Sequence, residues 1–362
     1  MSILVQVLFW AVFAALLFFT RRQHIFWPLL ALGLLLLFNQ LFTPGFFDLE
    51  VRDGHLYGTR IDILKHGGQV MLLALGMTLV IATGGVDLSV GAIMAIAGAV
   101  VAQAAIAHHQ SAAVAMALSL AVCLLLGAWN GFLVAGIGIQ PIVATLILMV
   151  AGRGIAQLIA EGQIINFNDP ALVYIGNGYL LGLPFTCTLV LVVLGLTYAL
   201  TRGTALGLFI ESVGDNDVAS HYAGVNARFV KFSAYLFAGF CAGLAGLVAA
   251  SNIKSADANH AGLYAELDAI LAVVVGGTAL TGGRFYLLGS IVGALLIQTL
   301  TTTMYARNVS ADIAPVPKAL VIIAVCLLQS EKARGYLTRL LPRKPLNSAP
   351  AAAAAPKAEA GL

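Results

Sequence analysis

Six polar or ionisable residues, Asp87, Asn130, Gln140, Arg153, Glu266 and Asp268, stand in otherwise apolar sequence. A charge held in hydrocarbon costs about 2.5–3.5 kcal/mol on insertion scales, so such groups face protein or water and often line solute or ion paths. The chemistry within their reach is hydrogen bonding to a passing solute, or proton relay, along a transmembrane passage. Each has a plainer account as well. Arg153 needs a carboxylate, and Asp87, Glu161 and Asp268 all qualify for a structural interhelical pair. In ATGGVDLSVG (Ala82–Gly91), Asp87 or Ser89 suits the cap of the following helix. Glu266 and Asp268 open a short apolar segment, where acids meet the partial positive charge of a helix N-terminus.

Catalysis finds no support. No H-E-x-x-H occurs, and no Ser/His/Asp or Cys/His arrangement has local support. The four cysteines (Cys123, Cys187, Cys241, Cys326) lie far apart in apolar runs and read as packing residues. His108-His109 reads as a surface turn. No metal site and no bound cofactor are expected. No Lys follows a Gly anywhere, so a phosphate-binding G-x-x-x-x-G-K-[ST] loop is excluded.

The elements that must position these residues are membrane helices. The 362 residues are 60% hydrophobic and 10% charged. Apolar runs fall near residues 3–20, 25–42, 67–84, 90–107, 113–136, 140–160, 185–201, 231–251, 268–281, 285–304 and 314–329. A helix crosses the bilayer in about 20 residues, and strand-like alternation is absent. The expectation is an all-α polytopic membrane protein with about ten transmembrane helices, within a range of roughly eight to eleven. As one helix, residues 269–304 would reach about 54 Å, so the chain must break. GGTALTGG supplies the place with Gly276, Gly277, Gly282 and Gly283. Gly239 and Gly243 have the small-xxx-small spacing of packed helices. Pro141 after Gln140 marks a helix start.

Between two spans lies a charged island, residues 202–231, containing GDNDVASHYAGVN (Gly214–Asn226). Val218, Tyr222 and Val225 recur at helical spacing, giving an apolar stripe for docking. Gly214, Asp215 and Gly224 flank it. Basic residues concentrate on the island's side of the membrane, which the positive-inside rule makes cytoplasmic. If every run crosses, the N-terminus then lies outside. The first run has no basic n-region and reads as a retained helix.

ATGGVDLSVG, WNGFLVA with IQPIVATL, the island ending in AGVN, and ELDAILAVVVGGTALTGGR together resemble the permease subunits of ATP-binding-cassette sugar importers of the ribose type. LILMVAGRGIAQLI, TALGLFIESVG and SADANHAGLYAELDAI carry a nearer likeness to galactofuranose permeases. The resemblance implies a bacterial inner-membrane permease that passes a monosaccharide, galactofuranose or a related sugar, from a periplasmic sugar-binding protein into the cytoplasm. It implies a cytoplasmic ATPase that uses the ATP, and a second permease subunit, either an identical copy or a close paralogue. It also makes Gly214–Asn226 the segment that receives the ATPase's motion. The expected organisation is an extra N-terminal helix and basic turn (1–24), a permease domain (25–330) and a partly disordered cytoplasmic tail (331–362). The competing readings are an ion-coupled secondary transporter, for which no inverted repeat is visible, and an importer permease for an amino acid or nucleoside. A membrane enzyme is the remotest.

Overall fold

The computed structural model describes residues 3–329 except 22, 53, 311, 312 and 314. The tail expected at 331–362 lies outside the described residues. The chain forms α1 (Ile3–Thr20), α2 (Phe26–Phe42), α3 (Thr59–Ala82), α4 (Val90–Ile106), α5 (Ala112–Gly131, prolonged by a π-helical stretch Phe132–Ile137), α6 (Pro141–Ile159), α7 (Pro170–Asn177), α8 (Phe185–Gly203), α9 (Leu206–Asp215), α10 (Asp217–Tyr222), α11 (Ala227–Ile253), α12 (Ala265–Val275), α13 (Leu287–Ala306) and α14 (Pro315–Gln329). Three antiparallel two-residue or three-residue strand pairs (Glu50–Arg52 with His55–Tyr57, Ile165–Asn166 with Ser255–Ala256, Tyr179–Leu180 with Leu183–Pro184) complete it. Among the described residues, six helices are long and apolar enough to cross a membrane, and shorter apolar helices stand at 9–20, 26–42, 90–106 and 315–325. The expected polytopic helical class is what the molecule shows.

α11 is the central post, because its small residues admit other backbones. A Cβ on Gly239 would lie 2.6 Å from the Cys123 carbonyl, and one on Gly243 2.8 Å from the Cys123 side chain, both on α5. Gly76 of α3 meets Ala238 and Cys241 in the same way. This is the glycine packing that the small-xxx-small spacing called for. Lipid offers no hydrophobic drive between helices, so close backbone approach and van der Waals contact must hold the bundle.

Two helices start inside the bundle. Gly246 packs on Met94 and Ala97, and Gly98 on Ala250, which sets α4 parallel to α11 and Val90 level with Ala242. At 1.5 Å per residue that is about 22 Å along α11 from Ala227. α12 begins beside it: a Cβ on Gly91 would collide with the Gly262 carbonyl and the Glu266 carboxyl. The apolar run at 268–281 therefore becomes a helix that starts three residues earlier, at Ala265, and stops at Val275. Gly277, Gly282 and Gly283 then take φ of +98°, +90° and +91°, values an L side chain resists. The Gly283 amide donates to the Ala82 carbonyl at 2.9 Å, so the break closes on the end of α3.

The N-terminal helix is an integral part of the bundle. Phe13 of α1 fills the notch at Gly33 of α2, and the Trp10 indole donates to Gln40. The turn after α1 brings His24 onto Tyr286, ring centroids 4.6 Å apart.

The glycines of the break are not equivalent. A Cβ on Gly282 would meet the Gly214 carbonyl at 2.7 Å and the Gly84 amide at 2.9 Å, whereas Gly277 has room. Gly282→Val adds collision to backbone strain of about 1–3 kcal/mol, Gly277→Val the strain alone. Val274→Leu adds one methylene at a half-buried helical position and imposes no backbone strain, so it is expected to cost the least. Detergent thermal-stability assays should rank Gly282→Val below Gly277→Val, and both below Val274→Leu. Equal midpoints would remove the special geometry from the break.

Candidate functional site

Residues 83–89 connect the end of α3 to the mid-bundle start of α4. Asp87 in this segment is 0% exposed. Its Oδ1 accepts from the Ser89 amide at 2.9 Å, the Ser89 hydroxyl at 2.6 Å and the Asn130 amide at 3.4 Å. Asn130 Nδ2 also donates to Ser89 Oγ at 2.8 Å. Asp87 Oδ2 and Asn130 Oδ1, both buried, have no partner. Ser89 is the residue at the N-cap of α4, but no side chain caps the first-turn amides. The capping role expected of Asp87 or Ser89 is thus corrected: the carboxylate organises Ser89 and Asn130 instead. Tyr235 of α11 donates to the Val86 carbonyl at 3.4 Å, while Thr145 of α6, beside the same oxygen, donates to the Pro141 carbonyl at 2.9 Å.

Arg153 does not pair with Asp87, Glu161 or Asp268. Its Nη1 donates to the carbonyls of Ala258 and Ala261 at 3.4 and 2.5 Å, and the carboxylates acting on it electrostatically are Glu266 and Asp257. The loop preceding α12 folds back into the bundle alongside α6, and its exposed carbonyls require the donors. Glu266, 3% exposed, opens α12 next to Gly91. Asp268 instead takes Lys318 of α14, both oxygens at 2.9 Å. Gln140 lies exposed at the start of α6, with no side-chain cap bond. Of the residues expected along a passage, the structure joins Asp87 with Asn130 and places Glu266 near Arg153. It sends Asp268 to a helix–helix pair and Gln140 to the surface.

The island folds as α9 and α10. Gly214 presses on the core: a Cβ there would collide with the Ala82 carbonyl and approach the Gly283 amide at 2.5 Å. Asn216 caps α10 through the Ala219 amide at 2.9 Å. Val218 and Tyr222 are 60% and 86% exposed, but the helix ends at Tyr222. Gly224 turns the chain at φ +88°, and Val225 folds back, donating to the Ser220 carbonyl at 2.9 Å and packing on the core. The expected three-residue stripe is corrected to two exposed residues with Val225 as their anchor. Asp215 stays exposed. Lys231 donates to Asp217 at 2.8 Å and holds that carboxyl below its ordinary pKa. A groove of about 750 Å³ separates α10 and the start of α11 from Val134–Gly138.

Sequence reasoning missed Lys318, the Asp257–Gly262 loop and Tyr235. Lys318 carried a readable signal, being the single cation in an apolar run that needs an acid opposite. The loop carbonyls carried none, since side-chain identity does not report where a backbone folds back.

No ion pair to Asp87 exists among the described residues, and what it gives the segment is hydrogen-bond acceptance from Ser89 and Asn130. Asp87→Asn keeps an oxygen to accept from the Ser89 amide, the Ser89 hydroxyl and the Asn130 amide. Asp87→Ala leaves buried donors unmatched, a loss of about 1–3 kcal/mol. Thermal unfolding in detergent should leave Asp87→Asn near wild type and lower Asp87→Ala. The reverse order would mean that the ionised carboxylate holds the segment.

Residues 60–328 match the family model described as branched-chain amino acid transport system / permease component. The chain is 50% identical over 318 residues to the galactofuranose transporter permease protein YtfT of Escherichia coli, covering 86% of this chain and 93% of the relative. It is 36% identical to the fructose import permease protein FruF of Bifidobacterium longum (92% and 95% covered) and 33% identical to the ribose import permease protein RbsC of Haemophilus influenzae (82% and 90%). No solved structure matches the chain significantly. With its bundle of membrane-spanning helices, its broken α12 and this extent of similarity, the chain belongs to the branched-chain amino acid transport system / permease component family of multi-pass membrane permeases.

Proposed function

We propose that this chain is the membrane subunit of an ATP-binding-cassette importer in the bacterial inner membrane, passing galactofuranose or a related monosaccharide into the cytoplasm. A separate ATPase supplies the energy and binds the ATP, a periplasmic binding protein delivers the sugar, and two permease subunits enclose the path. The observation that carries the reading is the mechanical continuity of the island. Val218 and Tyr222 offer an apolar anchor outside the bundle, while α9 reaches through Gly214 to the Ala82 carbonyl and Gly283, where α3 ends and α12 breaks. A groove on the ATPase that moves α10 thereby moves the non-helical segments on either side of the passage. The polar residues then divide: Asp87, Asn130, Arg153 and Glu266 support the interrupted segments from within the subunit, Asp268 ties α12 to α14, and Gln140 stands on an exposed face of the subunit.

Proteoliposomes holding the permease, ATPase and binding protein should concentrate sugar only with ATP, and the permease alone should not. Uptake by the permease alone in a proton or sodium gradient would replace this reading with an ion-coupled one. Tyr222→Asp and Val218→Asp should abolish uptake and weaken copurification of the ATPase, because a buried apolar anchor dominates such contacts. Asp217→Asn removes only an exposed ion pair and should be milder. Uptake and copurification at wild-type level in both anchor variants would make α10 a solvated loop helix.

A further inference from the structure

On the island's side of the bundle, a cavity of about 420 Å³ opens between the turn after α1, the end of α8 and the start of α13. Its walls are of two kinds. Ile25, Leu287 and Leu288 are apolar, and Leu288 is exposed. Arg202 and Tyr198 stand one helical turn apart on α8, with Tyr198 56% exposed. The His24–Tyr286 ring stack closes one side, and among the described residues no acidic side chain lines the cavity. Arg202 spends two of its five N–H groups, one on Glu211 at 3.1 Å and one on the Phe285 carbonyl at 3.2 Å, while its guanidinium lies over the Phe285 ring at 4.9 Å. The remaining donors stay available on a fixed, half-exposed cation. α8 is a membrane span that ends at Gly203, so this cation sits at the height of lipid headgroups, on the side where basic residues gather.

We infer that this cavity seats an anionic glycerophospholipid, its phosphodiester on Arg202 and Tyr198 and the first methylenes of its chains against Leu287 and Leu288. Basic pockets between membrane helices on the cytoplasmic side bind anionic headgroups for this reason, each cation near the surface contributing about 1 kcal/mol. The seat has a mechanical consequence. Arg202 grips Glu211 of α9, and the opposite wall is the chain leaving the break at Gly283, so the lipid bridges the two elements through which the island acts. It also gives the N-terminal helix a task, since the turn carrying His24 builds one wall. The inference rests on the membrane-embedded fold and is independent of the cargo or the energy source.

Full-length permease equilibrated with equal phosphatidylglycerol and phosphatidylcholine, then examined by native mass spectrometry, should retain phosphatidylglycerol in roughly fivefold preference. Arg202→Gln should bring the ratio to parity. Leu288→Trp, which fills the apolar half without touching Glu211, should do the same, whereas Arg307→Gln at the opposite end should not. Parity in the wild type would overturn the proposal. So would a preference surviving both cavity variants, or one lost in Arg202→Gln alone, because the lipid would then have no seat among the leucines. Efficient cross-linking of a Tyr198→Cys variant to the ATPase would also overturn it, by making the occupant a protein.

Discussion

Inside a bilayer every backbone N–H and C=O must find its partner within the protein. Two helices of this bundle, α4 and α12, begin near mid-depth, so the stretches leading into them (83–89 and 257–264), together with the break at 276–286, carry amides and carbonyls outside the helical ladders, many of them buried in the bundle. The architecture answers this demand piece by piece. The Gly283 amide takes the last carbonyl of α3. Thr278 Oγ1 accepts from the Tyr286 amide at 3.1 Å. The Val86 carbonyl receives Tyr235, and those of Ala258 and Ala261 receive Arg153. The donors come chiefly from α6 and α11, the helices that flank the interruptions.

That demand explains why intramembrane polar residues divide in their roles. Arg153 serves two carbonyls in the field of Glu266 and Asp257, and so is a fastener for the loop that precedes α12. Asp268 and Lys318 tie α12 to α14, holding the short helix that has lost its covalent continuity with α13. Thr78 donates to Ser290 at 2.8 Å and links α3 to α13 across the break. Beside the mid-bundle start of α4, Asp87 Oδ2 and Asn130 Oδ1 keep unspent acceptor capacity in a buried place, as Thr186 and Asn252 do elsewhere among the described residues. Asp87 lies on the segment that follows the end of α3, where α9 abuts it, and Asn130 reaches it from α5.

Glycine makes the interruptions mechanically coherent. Gly214, Gly282 and the Ala82 carbonyl are stacked without intervening side chains, so the end of α3, the break and α9 move as one contact. The island thus has a rigid inner face and a free apolar outer face. Soft loops would dissipate a displacement applied to α10, whereas backbone packed on backbone has no rotamers to absorb it. Arg202, joined to both Glu211 and Phe285, stitches the same assembly to the membrane boundary.

The sequence by itself determined the class, the positions of nearly all the apolar helices and the need for a break at GGTALTGG, because hydrophobic length against bilayer thickness is a one-dimensional constraint. It also marked Gly239 and Gly243 as a packing face, and the island as outside the lipid. Polar partners were another matter. Arg153 had three eligible carboxylates in sequence and took loop carbonyls instead, since pairing depends on which backbone folds back beside α6. The Val218–Tyr222–Val225 stripe presumed one continuous helix, and Gly224 ended it, turning Val225 inward. The mid-depth start of α4 was decided only by tertiary packing: the registers of Gly246 on Met94 and Gly98 on Ala250 fix how far the helix is raised, and no local pattern encodes the depth at which two helices meet.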